Sequence, residues 1–390
     1  MLPQVAETVV VGGGPAGAAS ALFLARLGHR CLLLERSVPG ERKLCGEFLS
    51  PEMLPLLRRL GVGETLAARG PARIRSVRIT APRSRRAWEA ELPAEGWGLS
   101  RAAVDEALLQ AAEREGVTVA RGTMAVSISI DRADRAAPPA AVLAVRPARE
   151  SGTVAIRARA VLLATGKTAS PARQSRFARP SRFLAFQAHF EGPALGPRVE
   201  LHAFRGGYVG LIDIEGGARN LCMLAPRMPS RPAVADDLLA MALAENETLA
   251  QWLTCARRVS PWATTPRLDF RAEDPWPDGE AMRVGDAAAR IVPLAGDGLA
   301  MAVRSAQIAA PILSDVIHSR LDERDARRLY RHSWKLEFGS RLFTGRLLQQ
   351  VLVHPAALRV ALAAIRHAPP LGRWTIRLTR GRLAGSAAEG

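Results

Sequence analysis

The chain is poor in lysine, tyrosine and cysteine, and each shortage excludes something. Only Lys43, Lys167 and Lys335 are lysines among 54 basic residues, so a formal charge of +17 rests almost wholly on arginine. The arginines are scattered rather than blocked and aromatics make up 5% of the chain. The basic groove with stacking platforms that single-strand binders use is therefore missing, and no nucleic-acid partner is expected. Cys31, Cys45, Cys222 and Cys255 form no Cys-x-x-Cys pair, which argues against a zinc site and, in 390 residues, against a disulfide framework. No metal is expected. Arg, Pro or Gly interrupts every apolar run before about 18 residues accumulate, so no membrane-spanning helix is expected either. The stretch from Val5 contains Glu7, lacks a basic lead and runs into glycines, unlike a signal peptide. Together these absences predict a reducing, cytoplasmic compartment. What is present, 48% hydrophobic and 23% charged residues, describes a globular chain with one large core or two coupled ones.

The first forty residues carry the strongest pattern. Thr8-Val9-Val10-Val11 is a β-branched run suited to a buried parallel strand, and it ends in Gly12-Gly13-Gly14-Pro15-Ala16-Gly17. An amphipathic helix is predicted over Ala18 to Leu27, and a second apolar strand over Cys31 to Leu34, closing at Glu35. Strand, GxGxxG turn, helix, strand and terminal acid form a dinucleotide-binding unit. Gly12 allows the tight turn, Gly14 admits the pyrophosphate, Gly17 lets the helix pack close, and the helix N-terminus offers N–H groups to phosphate. An acid at Glu35 takes the ribose hydroxyls and repels a 2′-phosphate, so FAD or NAD is expected and NADP is not.

Farther along, Ala160 to Gly166 is an apolar strand closing in Ala-Thr-Gly. Met282-Arg283-Val284-Gly285-Asp286-Ala287-Ala288 leads to Pro293-Leu294-Ala295-Gly296-Asp297-Gly298 and an alanine-rich helix from about Leu299 to Ile317. With these motifs the sequence resembles the glutathione-reductase-type flavoproteins, in the branch of p-hydroxybenzoate hydroxylase and geranylgeranyl reductase. The resemblance implies FAD as cofactor, held by Gly12, Gly14, Pro15, Ala16, Gly17, Glu35, Arg36, Lys43, Arg101, Val126, Asp286, Gly296, Gly298 and Leu299. Within that set Arg101 approaches the flavin or pyrophosphate, Asp286 bonds the ribityl chain, and Gly296, Gly298 and Leu299 lie near N1 and O2 of the isoalloxazine. Helix-terminal N–H groups there would stabilise negative charge on the reduced ring.

The expected fold is α/β: a discontinuous Rossmann-type FAD domain (1–73, 99–180, 276–320), a β-sheet substrate domain (74–98, 181–275) and a helical C-terminal region (321–390). A helix is expected over Ala233 to Thr254 and an exposed hairpin loop over Arg132 to Arg149. Arg42-Lys43-Leu44-Cys45-Gly46-Glu47 resembles the Lys-x-Cys-Gly segment of geranylgeranyl reductases, which passes beside the flavin. Cys45, Glu47 and Tyr208 are the catalytic candidates; a cysteine without a neighbouring histidine is more often structural, so Cys45 reads first as a small buried residue, and Glu47 reads equally as an exposed loop carboxylate. His189 and His202 are weaker candidates for the pocket. Thr165-Gly166-Lys167 stands where the hydroxylases have Asp-Gly, which puts direct reduction by NADPH in doubt. After Asp322 the chain is helical and basic, with eight arginines against Glu389 from Arg341 onward. Leu342, Phe343, Leu347, Leu348, Val351 and Leu352 are expected to pack on the FAD domain, and an interfacial membrane contact over Val353 to Leu383 is the second reading.

The activity implied is that of an FAD-dependent oxidoreductase: first a monooxygenase working through a flavin C4a-hydroperoxide on an apolar aromatic or polyketide-type substrate. The alternatives are reduction of isolated C=C bonds, or electron transfer to a membrane quinone. The electron donor is NAD(P)H or a separate flavin reductase.

Overall fold

The computed structural model describes residues 2–38, 41, 43–84, 87–131, 140–148, 152–166, 182–227, 234–265, 268, 270, 272–368, 372 and 375–376. Arg42, Lys167, residues 132–139 of the expected hairpin loop and the tail beyond residue 376 lie outside them.

The fold is α/β, built on two sheets. In the first, Val5–Val11 runs parallel to Cys31–Glu35 on one side and to Val154–Leu163 on the other. Thr118–Arg121 extends one edge, Ala140–Pro147 and Thr123–Asp131 extend the other as an antiparallel hairpin, and Met282–Arg283 joins Val154–Leu163. Both faces of the central strands are covered, which is why they read as continuous apolar runs rather than alternating ones. One face carries Pro15–Arg26, packed against Arg101–Arg114 and Gly298–Ile317. Ala18, Ala19 and Ala21 meet a helix rich in Ala302, Ala306, Ala309 and Ala310, all buried; small side chains let these backbones approach closely. Gly298–Ile317 is also the one described helix long and apolar enough to cross a membrane, with 61% of its apolar window buried in this core.

The second sheet orders its strands Arg257–Arg258, Phe183–Glu191, Arg219–Pro226, Gly207–Asp213, Arg198–Phe204, Ala72–Thr80, Ala87–Gly98 and Phe48–Leu49, with Ala263–Thr265 also on Phe183–Glu191. Alternation along Gly207–Asp213 sends Val209 and Leu211 into a core with Leu238, Leu239, Ala242 and Leu249, while Tyr208 turns to the opposite face.

Three expectations are corrected. The first helix begins at Pro15, directly after Gly14, because proline at the first position suits a helix start. The helix expected over Ala233 to Thr254 is two, Ala235–Glu245 and Glu247–Thr254; Asn246 leaves helical geometry and its side chain accepts from Leu249 N, capping the second. Residues Ala140–Pro147 of the expected loop are a strand.

The long helix Glu323–Val353 is capped by Asp322 and buries Tyr330, Trp334, Phe338, Arg341, Leu342 and Leu352. Tyr330 donates to the Arg283 carbonyl at 2.7 Å, tying the helix to the first sheet. The chain then turns 110° at His354 into Pro355–His367, whose Leu358 and Leu362 pack in one cluster with Leu201, Tyr208 and Leu224 of the second sheet.

Candidate active site

Between the two sheets lies a cavity of about 910 Å³. It runs from the glycine turn and the tip of Cys31–Glu35, past Thr165 and Gly166, to the turn before Gly298–Ile317, and it is roofed by the second sheet. Gly12 has φ +106°, and a Cβ there would collide with the Ala164 carbonyl oxygen. A Cβ on Gly17 would meet the Gly12 carbonyl, so the helix can sit this close only with glycine. No side chain caps Pro15–Arg26, and its N-terminal turn faces the cavity through Gly14, Pro15 and Ala16.

Glu35 is buried at the cavity wall. Its carboxylate accepts from Gly13 N at 2.6 Å and from Ser37 N at 2.8 Å, and pairs with Lys43 Nζ at 3.2 Å. Burial alone would raise its pKa; Lys43 and the donors on Ser37 and Gly13 outweigh that and hold the carboxyl below its ordinary value. Lys43 also reaches Asp105 at 3.4 Å, and Asp105 binds Arg101 Nε at 2.6 Å. Arg101 thus lies against Gly14, whose added Cβ would stand 3.0 Å from its guanidinium, and it also contacts the Cys45 thiol. Burial opposes the charge on Arg101, but Asp105 and Cys45 raise its pKa, so it is a fixed cation beside the glycine turn.

The loop holding Cys45 is braced from behind. Glu47, at φ +55° and almost fully buried, accepts from Arg101 N at 2.9 Å and pairs with His189 Nε2 at 2.8 Å. Gln187 accepts from Cys45 N at 3.2 Å, and Asn220 donates to the Cys45 carbonyl at 3.1 Å. The exposed-carboxylate reading of Glu47 is therefore corrected: its loop folds inward to satisfy the start of Arg101–Arg114.

At the far end Gly296 has φ +61°, and a Cβ there would press into the Phe48 ring. Asp297, the residue before Gly298–Ile317, does not cap that helix. Its carboxylate is wholly buried and turns to Arg341 of the C-terminal helix at 2.9 Å and to the Ser50 hydroxyl at 3.2 Å. The helix N-terminus therefore carries no side-chain cap, with Gly298 and Leu299 on the cavity wall.

Tyr208 enters from the roof. Its hydroxyl is buried and makes no hydrogen bond to a side chain, with the Leu294 backbone N–H beside it. Burial, with the Cys222 thiol, pushes its pKa well above 10 despite Leu294, so it is a neutral phenol.

Of the residues expected around the cofactor, Gly12, Gly14, Pro15, Ala16, Glu35, Arg36, Lys43, Arg101, Val126, Asp286, Gly296, Gly298 and Leu299 line this cavity; Gly17 lies behind the turn. Cys45, Glu47 and Tyr208 line it too. His189 sits behind Glu47, outside the lining. His202 is buried elsewhere, between Thr80 at 2.9 Å and Glu200 at 3.1 Å. Asp105, Asp297 and Arg341 were not anticipated. An i, i+4 Arg101/Asp105 pair was the only local signal for any of them.

Residues 5–179 match the FAD binding domain family. Over that stretch, a little under half of its length, the chain carries an FAD binding domain, and as a whole it is similar to FAD-dependent oxidoreductases of the p-hydroxybenzoate hydroxylase type. The flavoprotein is 27% identical over 381 residues to a menaquinone reductase of Mycobacterium tuberculosis, covering 90% of this chain and 85% of the relative. It is 26% identical over 343 residues to digeranylgeranylglycerophospholipid reductase 2 of Methanopyrus kandleri, covering 85% and 83%. A shorter match of 64 residues, 16% of this chain and 15% of the relative, is 47% identical to 6-methylpretetramide 4-monooxygenase of Streptomyces rimosus. In fold it is similar to a flavin-dependent brominase, at 18% identity and a TM-score of 0.82 over 96% of this chain and 93% of that one.

The residues present fit FAD. A cradle that any Cβ would fill opens onto an uncapped helix N-terminus, a depressed carboxylate stands at the tip of Cys31–Glu35, where it would take the ribose hydroxyls, and one continuous cavity joins both to a second uncapped helix N-terminus. When bound, FAD supplies two-electron transfer and, reduced, reactivity toward O₂.

Proposed function

We propose that the flavoprotein is a monooxygenase acting on an apolar aromatic or polyketide-type substrate that carries a ring oxygen. The observation that carries this reading is the Tyr208 hydroxyl: buried, neutral, without a side-chain partner, and set in a wall of Val77, Ala185, Val199, Leu201, Met223 and Leu224, to which Cys222, Thr264 and Thr265 add the other polar groups. An orphaned buried hydroxyl is unfavourable by about 1–3 kcal/mol, a penalty relieved when a ligand oxygen meets it. A bare polyprenyl chain offers no such oxygen at the reacting carbons; a phenol or enol does, and that oxygen makes the ring electron-rich. Tyr208 stays protonated, so its part is to orient the substrate against the Leu294 turn rather than to remove a proton. The apolar residues of the roof would limit water, and the helix-terminal N–H groups of Gly298 and Leu299 on the cavity wall would stabilise negative charge on a bound, reduced flavin. NAD(P)H or a separate flavin reductase provides the electrons.

A second reading, reduction of a C=C bond, is favoured by the Cys45 thiol, an acid on the cavity wall beside the Arg101 cation, and by the names of the full-length relatives. The test supplies reduced holoprotein with isotopically labelled O₂ and a panel of alkyl phenols and naphthols, and, in parallel without O₂, isoprenoid alkenes. Label in the product, with KM raised about tenfold or more in Tyr208→Phe, is expected. Dihydro products together with no label incorporation across the panel would replace the first reading by the second.

A further inference from the structure

We propose that the outer face of the C-terminal helices is a docking surface for an anionic lipid bilayer. Leu329, Leu336, Phe343 and Leu347 of Glu323–Val353 are exposed, Leu336 and Phe343 at 71% and Leu347 at 57%. Phe343 and Leu347 were expected to pack inward. The helix is instead turned so that Tyr330, Phe338, Arg341 and Leu342 face the core, held by the Arg341–Asp297 pair and the Tyr330 bond to Arg283. At 100° per residue the four exposed side chains fall within a sector of about 40°, one continuous stripe along the helix. Exposed apolar residues elsewhere on the described surface are scattered, as is ordinary for a globular protein; a stripe of this length is not.

The charge beside the stripe selects the occupant. Arg328, paired with Asp325 at 3.2 Å, and Lys335 and Arg346 run along one flank, and Arg359 and Arg366 are exposed on Pro355–His367, which also exposes Val360. Between residues 328 and 368 the only acid is Glu337, and it is consumed by Arg341 at 3.0 Å and Arg304 at 3.3 Å. A second copy of this face would bring cation against cation. An anionic headgroup layer satisfies both the stripe and its flank. The inner face of Pro355–His367 is part of the cluster around Tyr208, so a bilayer on the outer face lies one helix away from the substrate wall. This inference rests on the surface and stands whichever reaction the cavity performs.

The test is flotation of the FAD-loaded full chain with vesicles of phosphatidylcholine alone or containing about one-third phosphatidylglycerol, at low and high salt. Binding to the anionic vesicles that weakens with salt is expected, falling at least about tenfold in the Leu336→Glu/Phe343→Glu variant. Met241→Glu, an exposed apolar site on another helix, serves as the control and should bind as the wild type does. Flavin content and unfolding temperature show that each variant is folded. Wild-type protein that ignores both vesicle types, equal binding to neutral vesicles, or undiminished binding of the double variant would overturn the proposal. So would a wild-type dimer, abolished by the double variant, in the absence of vesicle binding.

Discussion

Replacing Arg341 by methionine keeps the apolar stem in its packing and removes only the guanidinium that meets Asp297. Asp297 is 0% exposed and the Arg341 side chain 8%, so neither charge is shared with bulk water. Breaking such a pair from one side leaves an uncompensated carboxylate in the interior, with the Ser50 hydroxyl as a neutral donor, and typically destabilises by about 3–5 kcal/mol. Glu337, the other partner of Arg341, is partly exposed and loses little, because water replaces the cation. Converting Asp297 to asparagine in the same chain removes the stranded charge, so Arg341→Met/Asp297→Asn is expected to be more stable than Arg341→Met alone. The assay is urea unfolding of apoprotein and holoprotein, with midpoints converted through the measured slopes. Because Asp297 sits between Gly296 and Gly298 on the cavity wall, the single variant is also expected to release FAD at lower urea than it unfolds. A loss below about 1 kcal/mol for Arg341→Met, or a double variant weaker than the single, would refute the claim that this pair holds the turn.

Gly12→Ala forces a Cβ into the Ala164 carbonyl at φ +106° and is expected to give colourless protein, whereas Gly28→Ala, at φ +91° with open space around it, is expected to cost about 1 kcal/mol and keep its flavin; absorbance of the purified variants decides. The Glu35 carboxyl is depressed in the fold, so its contribution is complete above the unfolded value of about 4.3 and is lost as pH falls through its lower folded value. Flavin release on acidification should therefore steepen below pH 4.3 in the wild type and be flatter in Glu35→Gln. Under mild alkylation at neutral pH the exposed Cys255 is expected to react first; Cys31, pushed up to about 12 by burial and then by Glu7, is expected to stay unmodified until the chain unfolds, as mass mapping would show.

The nucleotide end was legible because it is local. Strand, glycines, helix and acid follow one another within thirty-five residues, and each is dictated by sterics or by the N–H groups of a helix start. The later glycine turns could be placed near the cofactor only through the resemblance, since a Gly-Asp-Gly turn alone says nothing about what lies across from it. Glu47 read as a loop acid because loop position is a sequence property, while its burial comes from Arg101 N and His189, partners 54 and 142 positions away. His202 failed as a pocket candidate for a similar reason: strand alternation gives two faces, and only sheet packing tells which of them is the cavity.

The C-terminal helix marks the boundary most clearly. Its amphipathic repeat determined that one face would be buried, yet Leu336, Phe343 and Leu347 form a second apolar stripe on the opposite side, and the repeat does not say which stripe faces the core. The rotation was decided by contacts the repeat does not contain: a buried arginine reaching an aspartate 44 positions earlier and a phenol reaching the Arg283 carbonyl. The sequence by itself determined the cofactor class, the paired elements of the N-terminal unit and the positions that must be glycine, because these follow from backbone sterics over short spans. The tertiary structure alone decided which charge is buried, which tyrosine hydroxyl is left without a side-chain partner and which apolar side chains face outward, because each depends on what distant segments bring to the same place.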